Sequence, residues 1–531
     1  MGNSWRIKSL DSILRTAEKK SLHRTLGAFQ LTLLGIGAVI GTGIFVLTAE
    51  AAQKAGPGLM LSLILAGTVC GLAALCYSEL ASMVPVAGSA YTYTYAVMGE
   101  VLAWMVGWAL VLEYALGASA VCVGWANHVV PLINAMHIGS YHLHIPDILS
   151  NADGLRAKFA MATGTPATPE LMRAAQIGGY INLPAVFIGI IVTLLLIKGT
   201  TESATVNAML VLVKLAALGV FIILTVPLIQ SSNFTPFMPN GIGDPVTGQG
   251  VIGAAASIFF AYVGFDAVST AAEETVNPQR NVPIGLIASL LICTLIYMLV
   301  AAGAIGTIGG QPVMSSTGQF IPPGSAEMAG RCALITAAHQ PKPLVCSDEA
   351  LVYVLQSIHW PIVGRWVGLA AVIALPSVIL MMIYGQTRVA FVMARDGLLP
   401  SALAKVHPKF RTPHVVTAIT GVFVCVTASV LTVGFLADLS NAGTLFAFAM
   451  VAIAVPVLRR RAPDIKRSFK TPLIWLVAPL AVLGCAVLLY GLNADAKWVL
   501  VIWGAIGLVI YFAYSRRRSY VGRGLEEAPA D

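Results

Sequence analysis

Apolar positions gather into long blocks separated by short polar breaks. By hydropathy the blocks fall near residues 28–50, 58–84, 96–130, 182–198, 204–230, 250–271, 283–308, 362–393, 414–434, 439–458, 473–492 and 497–515. A helix of about 20 apolar residues crosses a bilayer, so each block predicts a transmembrane helix and the chain predicts an all-α, polytopic membrane protein of twelve spans. The organisation expected is an arm (1–27), spans 1–5 (28–230, with an outside loop at 131–181), spans 6–10 (250–458, with an outside loop at 309–361), spans 11 and 12 (473–515) and a tail (516–531).

Composition sharpens this reading. Of 531 residues, 57% are apolar and 11% charged, against about 25% charged in a soluble chain, and the mean hydropathy is +0.82. Two soluble domains, a disulfide-dense secreted scaffold, a disordered protein and a nucleic-acid binder are excluded. The net charge of +8 has another origin. Arm, tail and even-to-odd connections hold 23 Lys and Arg, the opposite side eight, and Lys214 belongs to neither. Positive charge stays in the cytoplasm, so both termini are expected there, with the chain in the cytoplasmic (inner) membrane. The arm is polar and basic for about 25 residues and lacks the apolar core of a cleavable signal, so the first span directs insertion. Six cysteines lie in or beside spans, where a thiol behaves as a small hydrophobe. Cys332 and Cys346 share an outside loop, where a bridge is permitted but not required.

Two spans carry signs of interruption. The first, GAFQLTLLGIGAVIGTGIF, holds Gly35, Gly37, Gly41 and Gly43. Glycine costs about 1 kcal/mol relative to alanine inside a helix, so Gly41-Thr42-Gly43 is a candidate unwinding point, although small residues also serve close helix packing. The sixth, ASIFFAYVGFDAVST, places Gly264 and Asp266 at membrane depth, where a charge is expensive and usually functional. Interruptions in spans 1 and 6 are what an inverted repeat of five plus five helices would show, with two helices appended.

The segments GIGAVIGTGIF, YSELASMVPVAGSAYTYTY (77–95) and FFAYVGFDAVSTAAEETVNPQRNVPIG (259–285) resemble the amino acid–polyamine–organocation permeases, and within them the cationic amino acid transporter branch. The resemblance runs in order through all twelve spans. It implies a LeuT-type five-plus-five inverted repeat and a secondary transporter importing amino acids by alternating access.

A zwitterion buried at the midplane needs both charges satisfied. The half-helix restarting at Gly41, Thr42 and Gly43 offers orphan N–H groups and a positive dipole end to the carboxylate. The resemblance assigns the amino group to backbone carbonyls of Phe260, Ala261 and Val263, joined by that of Ile40. Lys214, in the middle of span 5, is about ten residues, or ~15 Å, from the span end, which favours a buried lysine that loads and releases a proton over one that snorkels. In the resembled bacterial members a lysine at this place touches the backbone of unwound span 1, where sodium-coupled relatives bind a cation. Glu113 of span 3 lines the pocket region in the resembled branch, where a carboxylate attracts a cationic side chain; it could equally serve as a structural carboxyl. Asp266 could cap the restarted half of span 6. Glu79, Glu273, Glu274, Arg280 and Arg388 stand at the inner boundary, either as a gate of ion pairs or as a solvated face.

Enzyme chemistry finds no footing: HExxH, Walker-type loops, GxSxG and Cys/His clusters are all missing from the sequence. His142 and His144 alone make a weak metal signal, and no metal or cofactor is expected. The reading is an amino acid permease with the proton as coupling ion and the bilayer as its setting. An exchanger or facilitator using the same pocket is the alternative, and a non-transporting amino acid sensor a remote one.

Overall fold

The computed structural model describes residues 7, 26–83, 89–138, 141–199, 204–244, 246–270, 275–465 and 467–524. The basic arm and the carboxylates at positions 273 and 274 lie outside the described residues.

The first apolar block is three helical pieces: α1 (Ala28–Val39), α2 (Thr42–Phe45) and α3 (Leu47–Ala55). Then come α4 (Leu59–Met83), α5 (Ser89–Met98) and α6 (Glu100–Asn134), followed in the long connection to the next apolar helix by α7 (Asp153–Ala162) and α8 (Pro169–Ile177). Next are α9 (Leu183–Lys198), α10 (Ala204–Thr225), and a second interrupted block of α11 (Gly250–Ile258), a 3-10 turn (Phe259–Tyr262) and α12 (Ala267–Thr270). The chain continues with α13 (Pro278–Ile308), α14 (Ala326–Ala337), α15 (Ala350–Ser357), α16 (Pro361–Arg395), α17 (His414–Val430), α18 (Val433–Arg461), α19 (Ile474–Gly491) and α20 (Ala494–Ile510). Among the described residues the one β-sheet is a small hairpin pairing His137–Ile138 with Tyr141–His142.

Local chemistry sets where helices start. Asn182, Ser325, Thr432 and Asn493 accept from the backbone N–H three residues on, at 3.1, 3.1, 3.4 and 2.8 Å, satisfying donors that a helix end leaves orphaned. Proline fills the first turn of α9, α13 and α16, where its missing N–H costs nothing.

Among the described residues eight helices are long and apolar enough to cross a membrane, and four apolar helices are shorter, α1, α9, α11 with its 3-10 turn, and α17. This is a multi-pass membrane protein. Burial separates centre from periphery: 89% of the apolar window of α6 is buried, but only 17% of that in the α20 span. Helix α6 packs against α16 and α18, and α13 against α4 and α1.

Helix α20 is fastened to α6 by tryptophans. Trp108 and Trp503 stack at 4.4 Å between centroids, and each indole N–H donates to the other's backbone carbonyl at 2.8 Å. Trp104 stacks on Trp108 and donates to the Gly507 carbonyl at 2.8 Å. On the opposite end, α7, α8 and α14 form a cover with its own small core of Ala157, Leu171, Ala174 and Ala326. Cys332 and Cys346 are disulfide-bonded there.

Candidate functional site

The two interruptions meet. Helix α1 ends at Val39, Ile40 is extended and Gly41 takes φ −143° and ψ −149° before α2 begins. Helix α11 tightens into its 3-10 turn, Val263 is extended, and Gly264 turns at φ +107°. A Cβ at Gly264 would lie 2.9 Å from the Ala38 carbonyl oxygen, and one at Gly43 would collide with the backbone of Ala261, 2.8 Å from its nitrogen. Glycine is required at both places, at the first by conformation and approach together.

Tyr297 of α13 joins the two breaks. Its hydroxyl lies 2.9 Å from the carbonyl oxygens of both Val39 and Ala261. One proton serves two acceptors, so it donates to one at a time.

All the residues expected to bind substrate are buried. Gly41, Thr42 and Gly43 open a half-helix that carries on through Val46 into α3, with the Val46 N–H on the Thr42 carbonyl at 2.9 Å. The Thr42 hydroxyl is buried with no hydrogen-bond partner among the described residues, packed against Gly124 of α6. Of the expected carbonyl acceptors, Phe260 takes the Val263 N–H at 3.2 Å and Ala261 takes Tyr297, so each retains one lone pair.

Lys214 of α10 is buried, and its Nζ donates to the Gly37 carbonyl at 2.8 Å, in the last turn of α1 before the break. Glu113 of α6 is also buried, and among the described residues neither of its carboxyl oxygens has a hydrogen-bond partner. Buried polar atoms left unmatched are rare and call for an explanation. Beside it, the Tyr114 hydroxyl donates to Asp266 Oδ2 at 2.8 Å, tying the second break to α6. Helix α18 holds the same break: Asn441 Nδ2 donates to the Ala256 and Ser257 carbonyls at 2.7 and 3.1 Å, and Ser440 donates to the Glu113 carbonyl at 2.9 Å. Val378 lies against Gly41, while Ser440, Met382 and Phe260 surround Gly117 at 3.3–3.7 Å from a Cβ built there. The walls around the breaks are thus mostly apolar, with a few aimed polar groups.

Charge pairs lie towards both ends of α4. Glu79, at the end of α4, accepts from Arg459 Nε and Nη2 at 2.9 and 2.6 Å and from the Thr471 amide at 2.8 Å, with Arg467 Nε 3.5 Å away. At the other end Lys54 pairs with Asp438 at 3.0 Å. Ser257 hydrogen-bonds to both, and Asn493 Nδ2 donates to Asp438 at 3.0 Å. Sequence reading counts Lys54 as an outside-loop charge; the fold buries it to 4% exposure, because its partner on α18 reaches it.

A cavity of about 650 Å³ lies beyond the first break, walled by Val46, Glu50, Asn127, Val433 and the loop residues Asp153 and Glu349. Burial, helped by nearby Asp348, pushes the Glu349 carboxyl up to about 8. Among the described residues no three His, Cys, Asp or Glu side chains converge to hold a metal.

Tyr297, Tyr114, Asn441 and the Lys54–Asp438 pair escape sequence reading. A lone tyrosine in the apolar run ICTLIYMLVAAG carries no periodic signal. Asp438 could have been noticed as an acid at the edge of an apolar block.

Known proteins share this sequence over most of its length. The profile described as amino acid permease matches residues 26–513. The chain is 42% identical to the branched-chain amino acid permease BcaP of Bacillus subtilis, over 98% of this chain and 99% of that one. It is 38% identical to the methylthioribose transporter of the same organism, over 98% and 100%. It is 32% identical to the vacuolar cationic amino acid transporter 2 of Arabidopsis thaliana, over 87% of this chain and 65% of that one.

Proposed function

Because the chain belongs to the amino acid permease family, and is a transporter-type protein rather than an enzyme, we propose that it imports amino acids across the cytoplasmic membrane by alternating access, driven by protons. The observation that carries the reading is the meeting of two broken helices at a buried point, with Lys214 on one break and Tyr297 between them.

Ends of half-helices at the bilayer midplane make a site for a zwitterion, the N-terminal end for the carboxylate and freed carbonyls for the ammonium. The carboxylate would sit on the amides of Gly41, Thr42 and Gly43, and the ammonium on carbonyls of Ile40, Phe260, Ala261 and Val263. Such contacts recognise any α-amino acid, so selectivity falls to the walls. The apolar side chains of Val378, Met382 and Phe260 favour an aliphatic substrate, in keeping with the name of the BcaP relative. Glu113 adds a polar floor and Asp266 braces the second break.

On this reading residues 28–230 and 250–458 are inverted repeats of five spans, the last two spans are appended, and both termini are cytoplasmic. The Lys54–Asp438 pair closes the outside over the occupied site, and the Glu79–Arg459 pair closes the inside. Loss of the Lys214 proton weakens its hold on Gly37 and releases the first break, biasing the equilibrium between inward and outward states.

The test is uptake of a labelled amino acid panel into proteoliposomes, with and without an inward pH gradient and without internal substrate. Gradient-driven accumulation of aliphatic amino acids is expected. Uptake seen only after preloading with amino acid would make the protein an exchanger and Lys214 a fixed charge.

A further inference from the structure

The end of the chain has two chemically different faces. After α20 the helix widens into a π-turn, Tyr511–Ser515, and continues through Arg516–Arg518. Tyr511, Ser515 and Ser519, four residues apart, are all buried, while Arg517, Arg518 and Arg523 are exposed.

The buried face grips two carboxylate residues at one end of the bundle. Glu100, the first residue of α6, accepts from the hydroxyls of Tyr511 at 2.9 Å and Tyr95 at 3.0 Å, and from that of Ser519. Ser515 donates to the Leu398 carbonyl at 2.6 Å. The Tyr520 amide donates to the Asp396 carbonyl at 3.3 Å, and Asp396 Oδ2 accepts from Tyr91 at 2.8 Å. The segment therefore binds α5, the start of α6 and the end of α16 together. Arg461 reaches the Val97 carbonyl of α5 at 2.6 Å, which puts the ends of α18 and α20 on the same face.

The other face continues the outward stripe of α20, where Trp498, Val501, Ile502, Val509 and Phe512 are each more than half exposed. That stripe ends at the arginines, so they emerge where hydrocarbon gives way to headgroups. The guanidinium of Arg518 lies 5.3 Å from the Tyr514 ring and that of Arg523 5.1 Å from the Tyr520 ring. Aromatic rings at this depth anchor in the interface, and guanidinium groups bind phosphate through paired donors.

We propose that residues 511–524 are an adaptor for anionic phospholipid. Phosphate headgroups bind Arg517, Arg518 and Arg523 and hold the segment on the membrane surface, and its inner face, through Ser519 and Tyr511, then steadies the corner where α5 joins α6. Clusters of basic residues immediately beyond a span draw anionic lipid; here the cluster is fixed to the transport bundle through Glu100, so lipid composition reaches α6, the helix that carries Glu113.

The test uses the full chain in phosphatidylcholine bilayers, alone or mixed equally with phosphatidylglycerol. Hydrogen exchange of residues 516–524 should slow several-fold with phosphatidylglycerol, in low salt more than in high salt. The variant R517Q/R518Q/R523Q should lose that protection, and R517K/R518K/R523K should keep most of it. Ser519→Ala should keep lipid binding, measured as retained phosphatidylglycerol after purification, yet lose the protection of α5. Equal exchange in both lipids, or full protection in the glutamine variant, overturns the proposal. None of these readouts depends on which substrate is carried.

Discussion

Lys214 Nζ lies 2.8 Å from the Gly37 carbonyl oxygen, one helical turn before α1 breaks. A cation at that oxygen holds the end of α1, and removing it leaves a buried carbonyl short of a partner, at about 1–3 kcal/mol. Lys214→Ala is therefore expected to abolish accumulation driven by a pH gradient while leaving substrate-for-substrate exchange measurable. Uptake by the variant that still rises with the gradient would remove Lys214 from the coupling.

Gly43 faces the backbone of Ala261, which has no side chain to rotate away. Overpacking of this kind costs about 1–3 kcal/mol. Gly43→Ala is expected to raise KM for every substrate together and to lower Tm. An effect confined to one substrate class would contradict recognition by backbone.

Tyr297→Phe keeps the ring and deletes the hydroxyl shared by Val39 and Ala261. The loss is about 1 kcal/mol for a hydrogen bond, and both breaks should loosen. Cysteines introduced at Ile40 and Val263 should react faster with a small maleimide in the variant; unchanged rates would show that the hydroxyl does not hold the breaks.

Glu349 carries an acid held up at about 8 against an ordinary 4.5. A carboxyl raised in the fold favours its protonated form there, so its stabilising contribution is complete below about 4.5 and fades as pH rises through 8. Proteolysis of the segment around residues 342–357 should accelerate between pH 5 and 8.5, and Glu349→Gln should flatten the profile.

The multi-pass helical character was legible because lipid forces apolar residues into blocks, and the glycine-rich centres of the first and sixth blocks marked real interruptions. Hydropathy merges α1, α2 and α3 into one block, since a break of one or two residues does not change a window average. Lys214 and Glu113 stood out as charges in apolar runs, and both are buried near the breaks. Tyr297 did not, because its role depends on Val39, 258 positions away. Lys54 misled for the same reason, its partner Asp438 being 384 positions on. What a charge at a helix end does is decided by what folds against it.

The tryptophan stack joins residues 395 positions apart. During biosynthesis α6 enters the membrane long before α20 exists, and until then Trp108 lacks its stack on Trp503 and the indole N–H groups of Trp104 and Trp108 lack their carbonyl acceptors. A chain interrupted before Trp503 thus presents two indoles on its most central helix.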